Sequence, residues 1–147
     1  MYKHILIPID GTPLGSKAVD AGITLARDNA AKITFFTAVP EYQVPGEGEV
    51  MAHKVVSISE HARRSERRAN EILAPVAEKA RAAKLEVRTH YSQANQPWQA
   101  IVAAAKLLGC DAIVMASHGR KGISRMMHGS QTIDVLTHSD VPTLVVR

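Results

Sequence analysis

The residues best suited to chemistry in this 147-residue chain are an acidic turn, Asp10-Gly11-Thr12, and a basic, glycine-containing stretch from Met115 to Ser130. That stretch begins Met115-Ala116-Ser117-His118-Gly119-Arg120-Lys121-Gly122 and closes on Gly129-Ser130, just ahead of a helical pattern. These residue types suit a phosphate site. Glycine lets the backbone approach an anion closely, and a helix opening near Ser130 aims free N–H groups and the positive end of its dipole at one point. Arg120, Lys121 and Arg125 add countercharge. A carboxylate at Asp10 accepts hydrogen bonds from ribose hydroxyls or binds a cation, and it equally suits a turn that helps cap the next helix. Only His118 and His128 near such phosphates have the chemistry of a general base, so any hydrolysis there would be slow.

Both motifs need an element on each side. Ile5-Leu6-Ile7-Pro8-Ile9 is a short apolar, β-branched run with Asp10-Gly11-Thr12-Pro13 behind it, and reads as a buried parallel strand with Pro8 near its end, where a missing N–H is tolerable. Leu14, Ala18, Ala21, Gly22 and Leu25 then fall at helical spacing, with Thr12 as cap and Pro13 at the first helical position. Ala31 to Val39 is a second strand, closed by Pro40. Residues 40–49 carry Pro, Gly and acid without periodicity and read as a surface loop. From about Val50 to Ala83 the positions Ile58, Ala62, Ala69, Ile72, Val76 and Ala80 mark one face of a long helix that Pro75 should kink or split. Its other face carries Arg63, Arg64, Arg67 and Arg68, with Glu60, Glu66 and Glu71 at helical spacing, a solvated, ion-paired pattern. Leu85 to Tyr91 alternates like an edge strand. Pro97 opens a helix capped by Asn95 or Gln96, striped by Ile101, Ala105 and Leu108, and stopped by Gly109. Asp111 to Met115 is a fourth strand, a helix follows from near Ser130, and Val141 to Arg147 is a fifth strand.

Strands alternating with helices define an α/β layer fold with a parallel sheet, here a single domain over 1–147. In such a sheet ligands bind outside the carboxyl ends of the strands where the strand order reverses. Asp10 follows strand one and Ala116 follows strand four, so the two motifs share one crevice if those strands are neighbours.

Several classes are excluded or weakened. A hydrophobic fraction of 46% with 22% charged residues is that of a folded globular protein. No apolar run approaches the roughly 20 residues of a membrane span, and the start is too short and strand-like for a signal peptide. With Cys110 as the one cysteine, no internal disulfide forms, and a cytoplasmic location is expected. The net charge of +4 permits an acidic partner, but two Phe, one Trp and three Tyr give no basic-aromatic interleaving for nucleic acid. Trp98 reads as packing. His118, His128 and His138 lie ten apart, without metal-ligand spacing. No G-x-S-x-G supports acyl transfer, and neither G-x-G-x-x-G after strand one nor G-x-x-x-x-G-K-[ST] anywhere is present. A phosphoacceptor receiver domain lacks its acidic pair, since Asp10 stands alone.

Over essentially its whole length the chain resembles the universal stress protein family. The resemblance rests on the opening Tyr2 to Pro13, on the ending Val141 to Arg147, and on a match to G-x-x-G-x(9)-G-[ST]. Here Ala116-x-x-Gly119 is followed by nine residues and then Gly129-Ser130, with Ala116 in place of the first glycine. The resemblance implies an open five-stranded parallel sheet of order 3-2-1-4-5 with helices on both faces, of the Rossmann-like, adenine nucleotide alpha hydrolase-like kind. It also implies ATP at the ends of strands one and four, with magnesium bridging the phosphates. Carried over by position, Asp10 faces the adenosine, Pro8 and Ala38 line the adenine pocket, and Met115 and Ala116 flank the ribose. Gly119, Gly129, Ser130 and Gln131 hold the phosphates, with His118 and Arg120 as neighbours. Family members pair through the last strand, which implies a homodimer through Thr143 to Val146. The function implied is an ATP-binding stress-response protein with at most slow hydrolysis. The alternative is a dimeric interaction module of the same fold that binds no nucleotide.

Overall fold

In the structure of the chain, a computed structural model, residues 1–117 and 129–147 are described. The elements in order are β1 (His4–Pro8), α1 (Gly15–Asn29), β2 (Lys32–Val39), α2 (Glu47–Met51), α3 (Ile58–Ala82), β3 (Val87–Gln93), α4 (Pro97–Leu108), β4 (Ala112–Ala116), α5 (Gly129–His138) and β5 (Thr143–Val146). The strands form one parallel sheet in the order β3-β2-β1-β4-β5. This is the order the family resemblance implies.

Alternation along the central strands divides the core into two layers. Ile5, Ile7, Ile33, Phe35 and Val114 pack with Ala18 and Val19 of α1 and with Ala69, Ile72, Leu73 and Ala77 of α3. Leu6, Phe36, Ile113 and Met115 pack on the other face with Ile101 and Ala105 of α4 and Val135 of α5. The start of β1 is held by Asp111, whose two carboxylate oxygens accept the N–H groups of Lys3 and His4 at 2.8 and 3.0 Å. Partial burial alone would raise the Asp111 pKa, but those N–H groups outweigh it and hold it below the usual carboxylate value.

Several expectations need correction. Helix α1 begins at Gly15 rather than Pro13, because Thr12 to Leu14 form a tight entry with Gly15 N–H donating to Thr12 O, Ser16 to Pro13 and Lys17 to Leu14. Thr12 does not cap it, its hydroxyl being committed to Asp10. The supposed loop 40–49 contains the start of α2, where the Glu49 carboxylate accepts from Gly46 N–H at 3.0 Å. The long helix begins only at Ile58, behind a Ser57 cap that accepts from Glu60 N–H at 3.1 Å. Ile58 is 70% exposed and Ala62 is also exposed, while Ser65 takes the buried position on that face. Pro75 does not split α3. It costs about 3 kcal/mol and frees the Glu71 carbonyl, but both residues lie on the exposed side, and burying Ile72 and Leu73 alone recovers a similar amount. Strand β3 starts two residues later than its pattern suggests. Helix α4 has the expected ends, Pro97 first and Gly109 left-handed at φ 65°, but neither expected side chain caps it: Gln96 makes no side-chain cap bond, and the Asn95 amide is bonded to Glu41.

Candidate functional site

The carboxyl ends of β1 and β4 meet at the point where the strand order turns back, β1 lying between β2 and β4. Pairing between β1 and β4 covers Ile5 with Ala112 and Leu6 with Ile113, and goes no further. Pro8 supplies a reason. Ile9 N–H donates to Phe36 O of β2 at 2.8 Å, so by alternation the position of Pro8 would donate toward β4, and proline has no N–H to give. The two chains therefore part at a prepared point, with β2 held to β1 on the other side through Pro8 opposite Phe36.

Asp10 stands just beyond. Its Oδ1 accepts from Thr12 N–H at 3.0 Å and from the Thr12 hydroxyl at 2.6 Å, closing a side-chain turn that fixes the carboxylate. Gly11 between them has φ 81°, a left-handed conformation natural to glycine. The turn uses one oxygen only. Asp10 Oδ2 is buried with no partner among the described residues. Buried polar atoms are nearly always paired, so a fixed carboxylate oxygen with free lone pairs at a strand end is an acceptor waiting for a donor such as a ligand hydroxyl, or for a cation.

The remaining site residues fall into three groups. Pro8 and Met115 are buried, and Ala38 lies half-buried on β2, packed against the α4 layer. Met115 is fully buried in that layer, so its side chain forms floor rather than wall. Ala116 ends β4 opposite Val146, its methyl in the α1 layer, and it is absent from the non-glycine residues with positive φ. This position thus needs no left-handed backbone, and alanine fits where the family motif has glycine. Gly129 and Ser130 are the first two residues of α5. The side chain of Gln131 turns away from them, its Oε1 accepting Trp98 N–H at 2.9 Å and so capping the first turn of α4. Trp98 in turn stacks on His138, ring centres 4.3 Å apart, which confirms a packing role. His118 and Gly119, with Arg120, Lys121, Arg125, Met126, Met127 and His128, lie outside the described residues.

Sequence reasoning missed Thr132. It sits in the first turn of α5, 4% exposed, with its hydroxyl unpartnered among the described residues. Its place three residues after Gly129 was the available signal. Cys110 is buried, and burial pushes its thiol up to about 11, which fits a packed side chain and not a reactive one. No helix of the described residues is long and apolar enough to cross a membrane.

An open parallel sheet with two helices on each face of it and a strand-order reversal at β1/β4 defines a small doubly wound α/β protein. A profile of the universal stress protein family matches residues 1–147, and the chain belongs to that family. Universal stress protein YxiE of Bacillus subtilis is 29% identical over 152 residues, with the whole of both chains covered. Among solved structures, universal stress protein UspA from Lactobacillus plantarum superposes with a TM-score of 0.77 at 21% identity, covering 99% of this chain and 98% of that one. A universal stress protein from Archaeoglobus fulgidus in complex with dAMP gives 0.67 at 17% identity, over 99% of this chain and 98% of that one. One in complex with cAMP gives 0.68 at 22%, over 99% and 97%. At such identities these structures speak for the fold.

Proposed function

We propose that this chain is an ATP-binding universal stress protein, a small cytoplasmic regulator that holds ATP at the β1/β4 crevice and hydrolyses it slowly if at all. The observation that carries this reading is the buried Asp10 Oδ2, unpartnered among the described residues, at a strand-order reversal. A ribose hydroxyl supplies the missing donor, backbone beside Pro8 and Ala38 receives the adenine, and Met115 and Ala116 border the sugar. Gly119, Gly129, Ser130 and the backbone of Gln131 take the phosphates at the opening of α5, with His118 beside them. That related proteins were solved with cAMP and dAMP supports an adenine nucleotide as the ligand class. No group of three metal-ligating side chains occurs among the described residues, so magnesium would be carried mainly on phosphate oxygens and water.

The same reading includes a homodimer through β5. Thr143–Val146 is a sheet edge, Leu144 is 47% exposed, and Ile133 and Leu136 of α5 present further exposed apolar surface. An unpaired apolar edge of this kind is normally covered. These exposed residues would serve equally a dimeric interaction module that binds no nucleotide.

Thermal unfolding with and without millimolar Mg-ATP separates the two, with Asp10→Asn and Gly129→Ala as variants. Asn keeps the oxygen that Thr12 bonds and puts an N–H donor where Oδ2 stood. At 100 times its dissociation constant ATP adds about 2.7 kcal/mol, a rise of roughly 5–10 °C. The rise is expected in the wild type and greatly reduced in both variants. No rise in a folded dimer assigns the chain to the interaction module.

A further inference from the structure

The edge of the sheet farthest from β5 carries a second surface that the nucleotide reading does not use. Strand β3 pairs only with β2, leaving the N–H and C=O groups of its outer side without a strand partner among the described residues. One face of β3 is covered, since Val87 and Tyr91 pack into the α1/α3 layer. The other is not. There His90 and Ser92 form one wall of a groove of about 500 Å³, with Ala100, Ala103 and Leu107 of α4 as the other and Lys106 at its rim. His90 stacks on the buried Phe36, ring centres 6.0 Å apart, which fixes that wall of the groove. Leu107 is 75% exposed.

The charge of the rim selects the occupant. Arg88 shares the face of His90 and Ser92 by strand alternation, its side chain is 63% exposed, and its ion-pair partner is Glu86, 3.4 Å away just ahead of the same strand. Lys106 has no ion pair among the described residues. A second copy of the chain would bring this cationic rim against itself. A helix would leave the backbone groups of the edge unmet.

We propose that the free edge of β3 and the groove beside α4 dock an extended acidic segment of a partner protein. The segment adds as a sixth strand, sets small apolar side chains at alternate positions into the groove, and pairs carboxylates with Lys106 and Arg88. Over the seven residues of β3 such a segment spans about 23 Å.

The test uses the full chain and a fluorescein-labelled octapeptide alternating Val with Asp, read by anisotropy. A peptide with Lys for Asp and one N-methylated at alternate amides serve as controls. Saturable binding of the acidic peptide is expected, lost with either control and weakened severalfold by Ala103→Arg and by Lys106→Glu, with hydrogen exchange slowed at the β3 amides. Lys106→Glu, on the exposed rim, serves if Ala103→Arg lowers the melting temperature. The proposal is overturned if the acidic peptide does not bind, if N-methylation leaves binding intact, or if both variants bind as the wild type does. It is equally overturned if Ala103→Arg turns a wild-type dimer into monomer, which would make this face an interface between copies.

Discussion

Replacing Gly11 by alanine tests whether helix α3 presses on the turn that aims Asp10. Gly11 has φ 81°, and a Cβ built there lies 3.1 Å from Ile72 Cγ1 and 3.7 Å from Ile72 Cδ1. The two costs have separate origins. An L-residue in the left-handed region costs about 1–2 kcal/mol. The contact is about 0.4 Å closer than carbon atoms prefer, and Ile72, 9% exposed and packed in the α1/α3 layer, has little room to yield, which adds about 1 kcal/mol. Gly11→Ala should therefore lose about 2–3 kcal/mol in urea unfolding followed by circular dichroism with an unchanged m-value, equivalent to roughly 4–12 °C. Ile72→Ala alone costs about 2–3 kcal/mol for its cavity, and in that background Gly11→Ala should cost the backbone part only. The cycle then shows a coupling near 1 kcal/mol, outside the roughly 0.3–0.5 kcal/mol within which independent sites add. Additive costs, or a Gly11→Ala loss below about 0.5 kcal/mol, would refute the contact between α3 and the Asp10 turn.

Gly22→Ala should also destabilise, by about 1–2 kcal/mol, although alanine favours a helix over glycine by about 1 kcal/mol. The new Cβ would lie within 2.2 Å of Ile7 Cδ1 on a fully buried strand residue, and a raised urea midpoint would contradict this packing. His4 predicts acid sensitivity: it is buried with Nε2 at 2.8 Å from Thr34 Oγ1, and burial, then Lys32, then Arg88, hold its pKa below 6.5, against the opposing Leu108 carbonyl and Asp111. Well above pH 6.5 it is neutral in folded and unfolded chains alike; as the pH falls through 6.5 the unfolded chain binds the proton first, so stability declines by up to about 1.4 kcal/mol per pH unit. Urea midpoints between pH 7.5 and 5 should fall less in His4→Gln than in the wild type, and parallel curves would clear His4. Leu144→Glu on the exposed edge should halve the mass found by light scattering while leaving the circular dichroism spectrum unchanged; a mass that stays dimeric puts the interface elsewhere.

The parts of this fold legible in the sequence are those where one local rule acts without competition. The run Ile5-Leu6-Ile7 is apolar on both sides because β1 is covered on both faces, and Gly109 stops α4 because only the left-handed conformation at φ 65° turns the chain there. Helix starts were misread where two rules competed for one side chain. Thr12 is a good cap, but Asp10 two residues earlier takes its hydroxyl and its N–H, and the helix begins beyond both. Pro75 is a good breaker, but it falls on the exposed side of a helix whose buried side is already committed to β2 and β3. Residues 47–51 carry too few apolar side chains for periodicity to register, and the start of α2 is marked only by the Glu49 carboxylate that accepts from Gly46 N–H.

The site divides in the same way. Asp10 and Pro8 could be singled out from their types and their place at a strand end. What makes them a pair could not, because an Oδ2 unpaired among the described residues and the missing N–H toward β4 have meaning only once β1 has a neighbour on each side. Proline opens the ladder and aspartate supplies an acceptor within two residues of that opening. A change at Pro8 that restores an N–H should therefore affect the crevice rather than the core. Pro8→Ala gives β1 a donor toward β4, lets the two strands pair one step further, and narrows the place where a ligand would enter. Since the rest of the strand is already buried and paired, the substitution should leave overall stability nearly unchanged while reducing the ATP-induced rise in melting temperature. An unaltered rise would mean that the parting of β1 and β4 has another cause than the missing proton donor of Pro8.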